Sequence, residues 1–253
     1  MCWRFSPCPP SLTGKALPLP GPTALAFTVA GAMAQIGATA LMLVTMKSQN
    51  FAVTTAWLKT EPVLVALASA AILGDALTWP MLACIAVATA GVLMMTVKPG
   101  VRAWADHRAT LTGLAAAALF GASAIGFRGG ILALPHGSDL TRAATTLALA
   151  LTLQTAMLLV WLAIFDRASL ARSFTVWRAS LLAGFLGAFA SAFWFLGFSM
   201  TSAANVRSLA LVEVIMAQGV SSLILRQKTS RRQVWGMALV VLGVAALLRL
   251  ELI

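Results

Sequence analysis

The feature that most constrains this chain is a series of apolar runs, each about 20 residues long and nearly free of charge. They fall near 24–46, 51–74, 79–97, 110–127, 142–165, 179–199, 203–226 and 233–250. Coiled as an α-helix at about 1.5 Å per residue, a run of this length crosses the roughly 30 Å hydrocarbon core of a bilayer. The runs do not alternate with period two and are twice too long for barrel strands. Lipid offers no partner to backbone N–H and C=O groups, so the spans must satisfy them internally, as helices do. Composition agrees. Hydrophobic residues make up 60% of the 253, charged residues 10%, and mean hydropathy is +0.91. A soluble domain carries about 25% charged residues and a disordered chain has low hydrophobicity, so both are excluded. The expected fold is an all-α polytopic membrane protein with about eight transmembrane helices.

The net charge of +11 comes from 18 Lys+Arg against 7 Asp+Glu. In a multi-pass protein such an excess marks cytoplasmic loops rather than nucleic-acid binding. Lys47, Lys98, Arg102, Arg108, Arg167, Arg172, Arg178, Arg226, Lys228, Arg231 and Arg232 fall on one side of the expected topology. The other side holds Arg4, Lys15, Arg128, Arg142, Arg207 and Arg249, which places the first group in the cytoplasm and both termini outside. Residues 1–23 form a Pro-rich segment without the uninterrupted apolar core of a signal peptide. No metal or other cofactor is expected, since Cys2, Cys8, Cys84, His107 and His136 form no ligand cluster. No HExxH, GxSxG or P-loop is present, so the chain reads as a non-enzyme without its own ATP hydrolysis.

The chain also repeats itself. Shifted by 152 residues, segment 24–95 lies on 176–247 without a gap. Ala38 then falls on Ala190, Ala52 on Ala204, Ser69 on Ser221, and Gly91-Val92 on Gly243-Val244. Glu61 falls on Glu213, each in the middle of its apolar run. The copies begin five helices apart, and an odd number inverts the second copy across the membrane. The turn at 75–80 has an acid and no base, whereas its mate at 227–232 carries Lys228, Arg231 and Arg232. The organisation expected is a first repeat at 24–97, an inter-repeat loop at 98–109 and a second repeat at 110–250. The helices at 110–127 and 142–165 have no full partners ahead of residue 24, since subtracting 152 places them mostly before residue 1, so the first repeat reads as lacking two helices.

A charged side chain at the bilayer centre costs about 2.5–3.5 kcal/mol on insertion scales, and so faces a bundle interior or a watery cavity. Glu61 and Glu213 are therefore the leading candidates for binding a solute or exchanging protons. The alternative is a pair of hydrogen-bonded carboxyls fastening neighbouring helices. Lys59 stands about 200° around the helix from Glu61 and so is no simple partner of it; snorkelling or an acid on another helix would satisfy it. Arg207, nearer a run's end, reads as a snorkelling residue. Trp57, one turn before Glu61, offers a cavity wall or a cation–π face. Gln35, Asn205, Ser208 and Gln218 are mid-span polar groups that would touch either solute or a neighbouring helix. Pro62 interrupts the backbone ladder beside Glu61, as a broken helix at a binding site or as a packing kink.

Several stretches look familiar. Val212-Glu213-Val214, the turn Arg226 to Gln233, and Gly236-Met237-Ala238-Leu239-Val240-Val241-Leu242-Gly243-Val244 resemble the EamA-type branch of the drug/metabolite transporter superfamily. The first-half counterparts are Lys59-Thr60-Glu61-Pro62, Leu73-Gly74-Asp75-Ala76-Leu77-Thr78 and Ala90-Gly91-Val92-Leu93. The resemblance covers about residues 24–250. It implies a ten-helix carrier of two inverted five-helix halves, here without its first two helices, moving a small metabolite, amino acid or drug-like solute by alternating access. It implies export, with proton coupling left open, and a multi-pass protein of the bacterial inner membrane whose partners are the lipid bilayer and the solute. A homodimer stays open. Two departures stand out: Asp75 and Gln227 replace the glutamate usual in that turn, and the first two helices are not seen. A truncated, non-transporting remnant or a membrane scaffold is the alternative those missing helices suggest.

Overall fold

The computed structural model describes residues 20–48, 57–96, 107–223 and 230–251. Residues 1–19, 49–56, 97–106, 224–229 and 252–253 lie outside the described residues. The described chain runs through α1 (Pro22–Ser48), α2 (Glu61–Leu73), α3 (Trp79–Thr96), α4 (His107–Leu132) and α5 (Asp139–Phe165). It continues through α6 (Arg167–Thr175), α7 (Trp177–Met200), α8 (Ala203–Leu209), α9 (Val212–Leu223) and α10 (Arg231–Glu251). The protein is all-α and polytopic. Among the described residues six helices are long and apolar enough to cross a membrane: α1, α3, α4, α5, α7 and α10. Of the other two expected spans, the described parts, 57–73 and 203–223, are interrupted at Lys59-Thr60 and at Ala210-Leu211.

The interruptions have a common geometry. At the first, Thr60 N–H donates to the Trp57 carbonyl at 3.1 Å and Val63 N–H to the Thr60 carbonyl at 3.2 Å. At the second, Leu211 N–H reaches the Ser208 carbonyl at 3.1 Å and Glu213 N–H the Ala210 carbonyl at 3.0 Å. Both exchange i→i+4 bonds for tighter i→i+3 bonds over one turn. Pro62 falls in the first turn of α2, where its missing N–H is no loss. It cannot be the general cause, because the residue 152 positions on is Val214. At the far end of α2, Gly74 closes the helix with φ of 69°, a left-handed cap that a side chain would strain.

Two helix pairs are built on glycine. α1 and α4 run antiparallel, with Gly31 beside Phe127 at one end and the Thr45 hydroxyl 3.1 Å from that of Thr112 at the other. A Cβ added at Gly126 would lie 2.7 Å from the Gly31 Cα. α3 and α10 are equally close: a Cβ at Gly91 would lie 2.7 Å from the Gly236 carbonyl oxygen, and one at Gly243 would lie 2.7 Å from that of Cys84. These two contacts also show α3 and α10 to be antiparallel. Small residues let backbones approach where lipid supplies no hydrophobic drive. Gly126→Val is expected to destabilise the protein by about 1–3 kcal/mol, the usual range for overpacking, read as a lower melting midpoint in detergent.

The largest core cluster includes Val65 and Ala66 of α2, Ile125, Phe127 and Ile131 of α4, and Phe195 and Phe198 of α7. A smaller cluster joins Ala88, Val92 and Met95 of α3 to Leu211, Val240 and Val244. α5 and α7 turn large apolar side chains outward, among them Trp161, Phe165, Phe185, Phe189 and Phe193, as lipid-facing helices do. Between them α6 is a short surface helix. Its first turn is capped by Asp166, whose carboxylate accepts the Ser169 N–H at 3.0 Å. Hydrogen bonds from the Ser169 side chain and backbone hold that carboxyl below its usual range.

α4 is longer than the run 110–127 predicts. The apolar signal stops at Arg128, but the helix continues to Leu132 because Gly129 and Gly130 pack on Phe27 and Thr28 of α1. Arg128 is therefore a buried helical residue and not a loop cation.

Candidate functional site

The interruptions bring four charged side chains together. Lys59 lies in the first one; Glu61 and Glu213 stand in the first turns of the helices that follow, α2 and α9; Arg207 is in the last turn of α8. The pairing is crosswise. Arg207 Nε lies 3.0 Å from Glu61 Oε1, and Lys59 Nζ is bonded to Glu213 Oε1. Each acid thus meets a base from the other half of the chain. Glu61 lies within electrostatic reach of Arg207, Lys59 and Glu213 alike. Two carboxylates face two cations, so the group carries no formal net charge. That balance matters in a medium of low dielectric, where an uncompensated charge is costly.

The two halves of the group differ in exposure. The side chains of Glu61 and Arg207 are 12% and 18% exposed, whereas Glu213 is 57% exposed and its partner Lys59 18%. The buried pair is close but misaligned: neither Glu61 Oε1 nor Arg207 Nε makes a hydrogen bond. The Arg207 guanidinium lies over Trp194, 4.5 Å from the ring centre, and 5.7 Å from that of Phe198. Aromatic faces stabilise a cation while leaving its N–H edges available. The local chain explains the placement. Thr201 and Ser202 are extended between α7 and α8, and the Ser202 hydroxyl caps α8 by accepting Asn205 N–H at 3.2 Å. The sharp turn folds α8 back on α7, setting Val206 against Gly197 and Arg207 over Trp194.

Of the other residues singled out from sequence, Asn205 and Ser208 lie buried on α8 beside this group. Asn205 Nδ2 donates to the Thr201 hydroxyl at 3.2 Å, and the Ser208 hydroxyl to the Ala204 carbonyl at 2.7 Å. Trp57 is buried and packs against Gly113 of α4; Trp194 and Phe198 supply the cation–π faces for Arg207. Gln218 accepts a bond from Gln233 Nε2 at 3.1 Å that ties α9 to α10. Gln35 is half-buried in mid-α1, and its carbonyl accepts the Thr39 hydroxyl at 2.9 Å. Arg207 is a correction: it does not snorkel outward but turns inward onto Glu61. Sequence reasoning passed over Trp194 and Phe198 as well. The available signal was their spacing of four on one helix, which places two rings on one face.

A second buried ion pair occupies the end of the bundle where the α2–α3 turn and the α7–α8 turn meet. Arg128 grips Asp75 with both sides of its fork, Nε to Oδ2 at 3.2 Å and Nη2 to Oδ1 at 2.9 Å. Its Nη1 donates to the Phe198 carbonyl at 2.8 Å and to the Thr201 carbonyl. The Ser69 hydroxyl also donates to Asp75 Oδ2. Among the described residues no group of three or more His, Cys, Asp or Glu is placed to hold a metal ion.

Comparison with known proteins agrees with this architecture. One solved structure, described only as "Crystal structure of protein", superposes with a TM-score of 0.62 over 91% of this chain and 88% of its own, at 18% sequence identity. A likeness at that identity speaks for the fold alone. No curated protein matches the chain in sequence. The family model for EamA-like transporters matches residues 107–249, more than half of the chain. The chain belongs to the EamA-like transporter family, and is a multi-pass membrane transporter of that drug/metabolite type.

Proposed function

We propose that the protein is a secondary carrier that exports a small metabolite, amino acid or drug-like solute by alternating access about the four-charge group. The carrying observation is that two spans are interrupted within one residue of positions related by the 152-residue shift, and that both interruptions deliver their charges to one place. Broken helices with free backbone groups and ionisable side chains near the midplane are a recurring device of secondary transporters. The α3–α10 contacts support the inverted repeat. Gly91 touches Gly236 and Val240, while Gly243 touches Cys84 and Ala88, the residues 152 positions before them. Interchanging the helices interchanges the contacts. On this reading residues 24–97 and 110–250 are the two repeats.

Within the group, solute competes with the internal partners. A carboxylate on the solute displaces Glu61 from Arg207; a cationic group displaces Lys59 from Glu213. Either exchange loosens a crosswise link between halves, which is what a rocking motion requires. Protons provide the return stroke by occupying the glutamate a solute has vacated.

The test is transport in proteoliposomes with an imposed pH gradient, across a panel of amino acids and cationic antimicrobials. Uptake driven by the gradient is expected for wild type, with Glu61→Gln and Glu213→Gln each reducing it about tenfold or more. Gradient-driven transport at the wild-type rate in both variants would remove the glutamates from the coupling; no transport of any panel member, with none of these solutes effluxed from expressing cells, would count against the carrier reading.

A further inference from the structure

Asp75 and Arg128 take no part in the four-charge group, yet they form a well-satisfied buried ion pair. Their side chains are 14% and 12% exposed, and every contact of the Arg128 fork joins different elements. Through Asp75 it holds the turn that follows α2; through the Phe198 and Thr201 carbonyls it holds the turn that precedes α8. α2 begins at Glu61 and α8 carries Arg207 in its last turn, so the two helices clamped here hold the buried central pair towards their other ends. Directly beneath the clamp is a small cavity of about 10 Å³, lined by Ser69, Asp75, Ser202 and Asn205 together with Met81 and Ile85. That is room for about one water molecule between the clamp and the polar face of α8.

We propose that Asp75 and Arg128 are the gate of one mouth of the central site, at the end opposite the Lys- and Arg-rich loops. The inference rests on the carrier reading. Latched, the pair pins α2 to α8 across that end, over the small cavity that Asn205 lines. Released, the turns Gly74–Thr78 and Thr201–Ser202 separate, and α2 and α8 part at that end. A planar guanidinium with five fixed donors suits such a latch: it closes on a carboxylate and two carbonyls in one movement. The Ser69 hydroxyl holds the carboxylate ready when the arginine leaves. The sequence makes the device one-sided. The residue that the 152-residue shift sets opposite Asp75 is Gln227, which has no charge to attract an arginine.

The experiment reads accessibility and transport separately, on the full chain with Cys2, Cys8 and Cys84 changed to Ser. A single reporter, Asn205→Cys, is labelled with a membrane-impermeant maleimide, in intact cells and in inverted vesicles. Adding Asp75→Asn, which keeps the two Arg128–carbonyl bonds and so the fold, is expected to raise the labelling rate about tenfold from the face that carries the Gly74–Thr78 turn, and not from the other. Arg128→Gln should do the same, and the double variant should label no faster than the faster single one, because one latch is broken only once. The proposal is overturned if the melting temperature of Asp75→Asn matches that of its parent while its labelling rate is unchanged, or if labelling rises equally from both faces. Fast labelling with no solute moved by the parent would leave the latch standing and the carrier reading in difficulty; robust transport with unchanged labelling would do the reverse.

Discussion

Arg207→Leu is expected to be the most damaging single substitution at the centre of this protein. It removes the partner of Glu61, whose side chain is only 12% exposed, and it removes the cation from between Trp194 and Phe198. Breaking a buried pair by deleting one member typically costs about 3–5 kcal/mol, because the remaining charge is left without compensation. The melting midpoint in detergent should fall steeply, and transport should be lost. The double variant Arg207→Leu with Glu61→Gln should regain most of the stability, since no charge is then stranded, while transport stays absent. That split separates holding the bundle together from handling the solute. If the single variant is as stable as wild type, Glu61 does not depend on Arg207 and the crosswise arrangement does not matter energetically.

Gly243→Leu should be nearly as severe. A Cβ there already falls 2.7 Å from the Cys84 carbonyl oxygen and 2.8 Å from the Ala88 N, both backbone atoms that cannot swing aside. Three further carbons force α3 and α10 apart along their whole contact. The expected cost is about 3 kcal/mol or more, the upper end of overpacking effects. Its repeat mate Gly91, 2.7 Å from the Gly236 carbonyl oxygen by the same measure, should respond equally to Leu. Parallel thermal melts of the two variants check this. At a plain surface contact neither would shift by more than a degree or two, and an unequal response would show that the two ends of the interface are packed differently.

Six of the expected spans were legible in the sequence because burying a helix in lipid leaves a one-dimensional mark, a long run without charge. Glu61 and Glu213 were legible for the same reason, as the exceptions to that mark. What they pair with was not. Partners across helices depend on how each helix is rotated about its axis, and apolar runs rich in Ala and Leu on every side carry almost no rotational signal. Arg207 therefore looked like a snorkelling residue and Arg128 like a loop cation, though both point inward. The second interruption was hidden too. Pro62 advertises the first, but Leu209-Ala210-Leu211-Val212 contains no helix breaker to mark its tightened turn. The 152-residue shift sets Lys59-Thr60 on Leu211-Val212, one residue from the second interruption.

The crosswise pairing has a consequence for biogenesis. Each half of the chain emerges from the ribosome with an acid and a base that it does not join to each other, and each finds its counterion only after the other half has entered the bilayer. An orphan half is thus a recognisable quality-control client, with frayed interrupted spans and unmatched ions that a membrane protease can grip. Co-expressed as two separate polypeptides, the halves should rescue one another from degradation, so that survival itself reports correct docking.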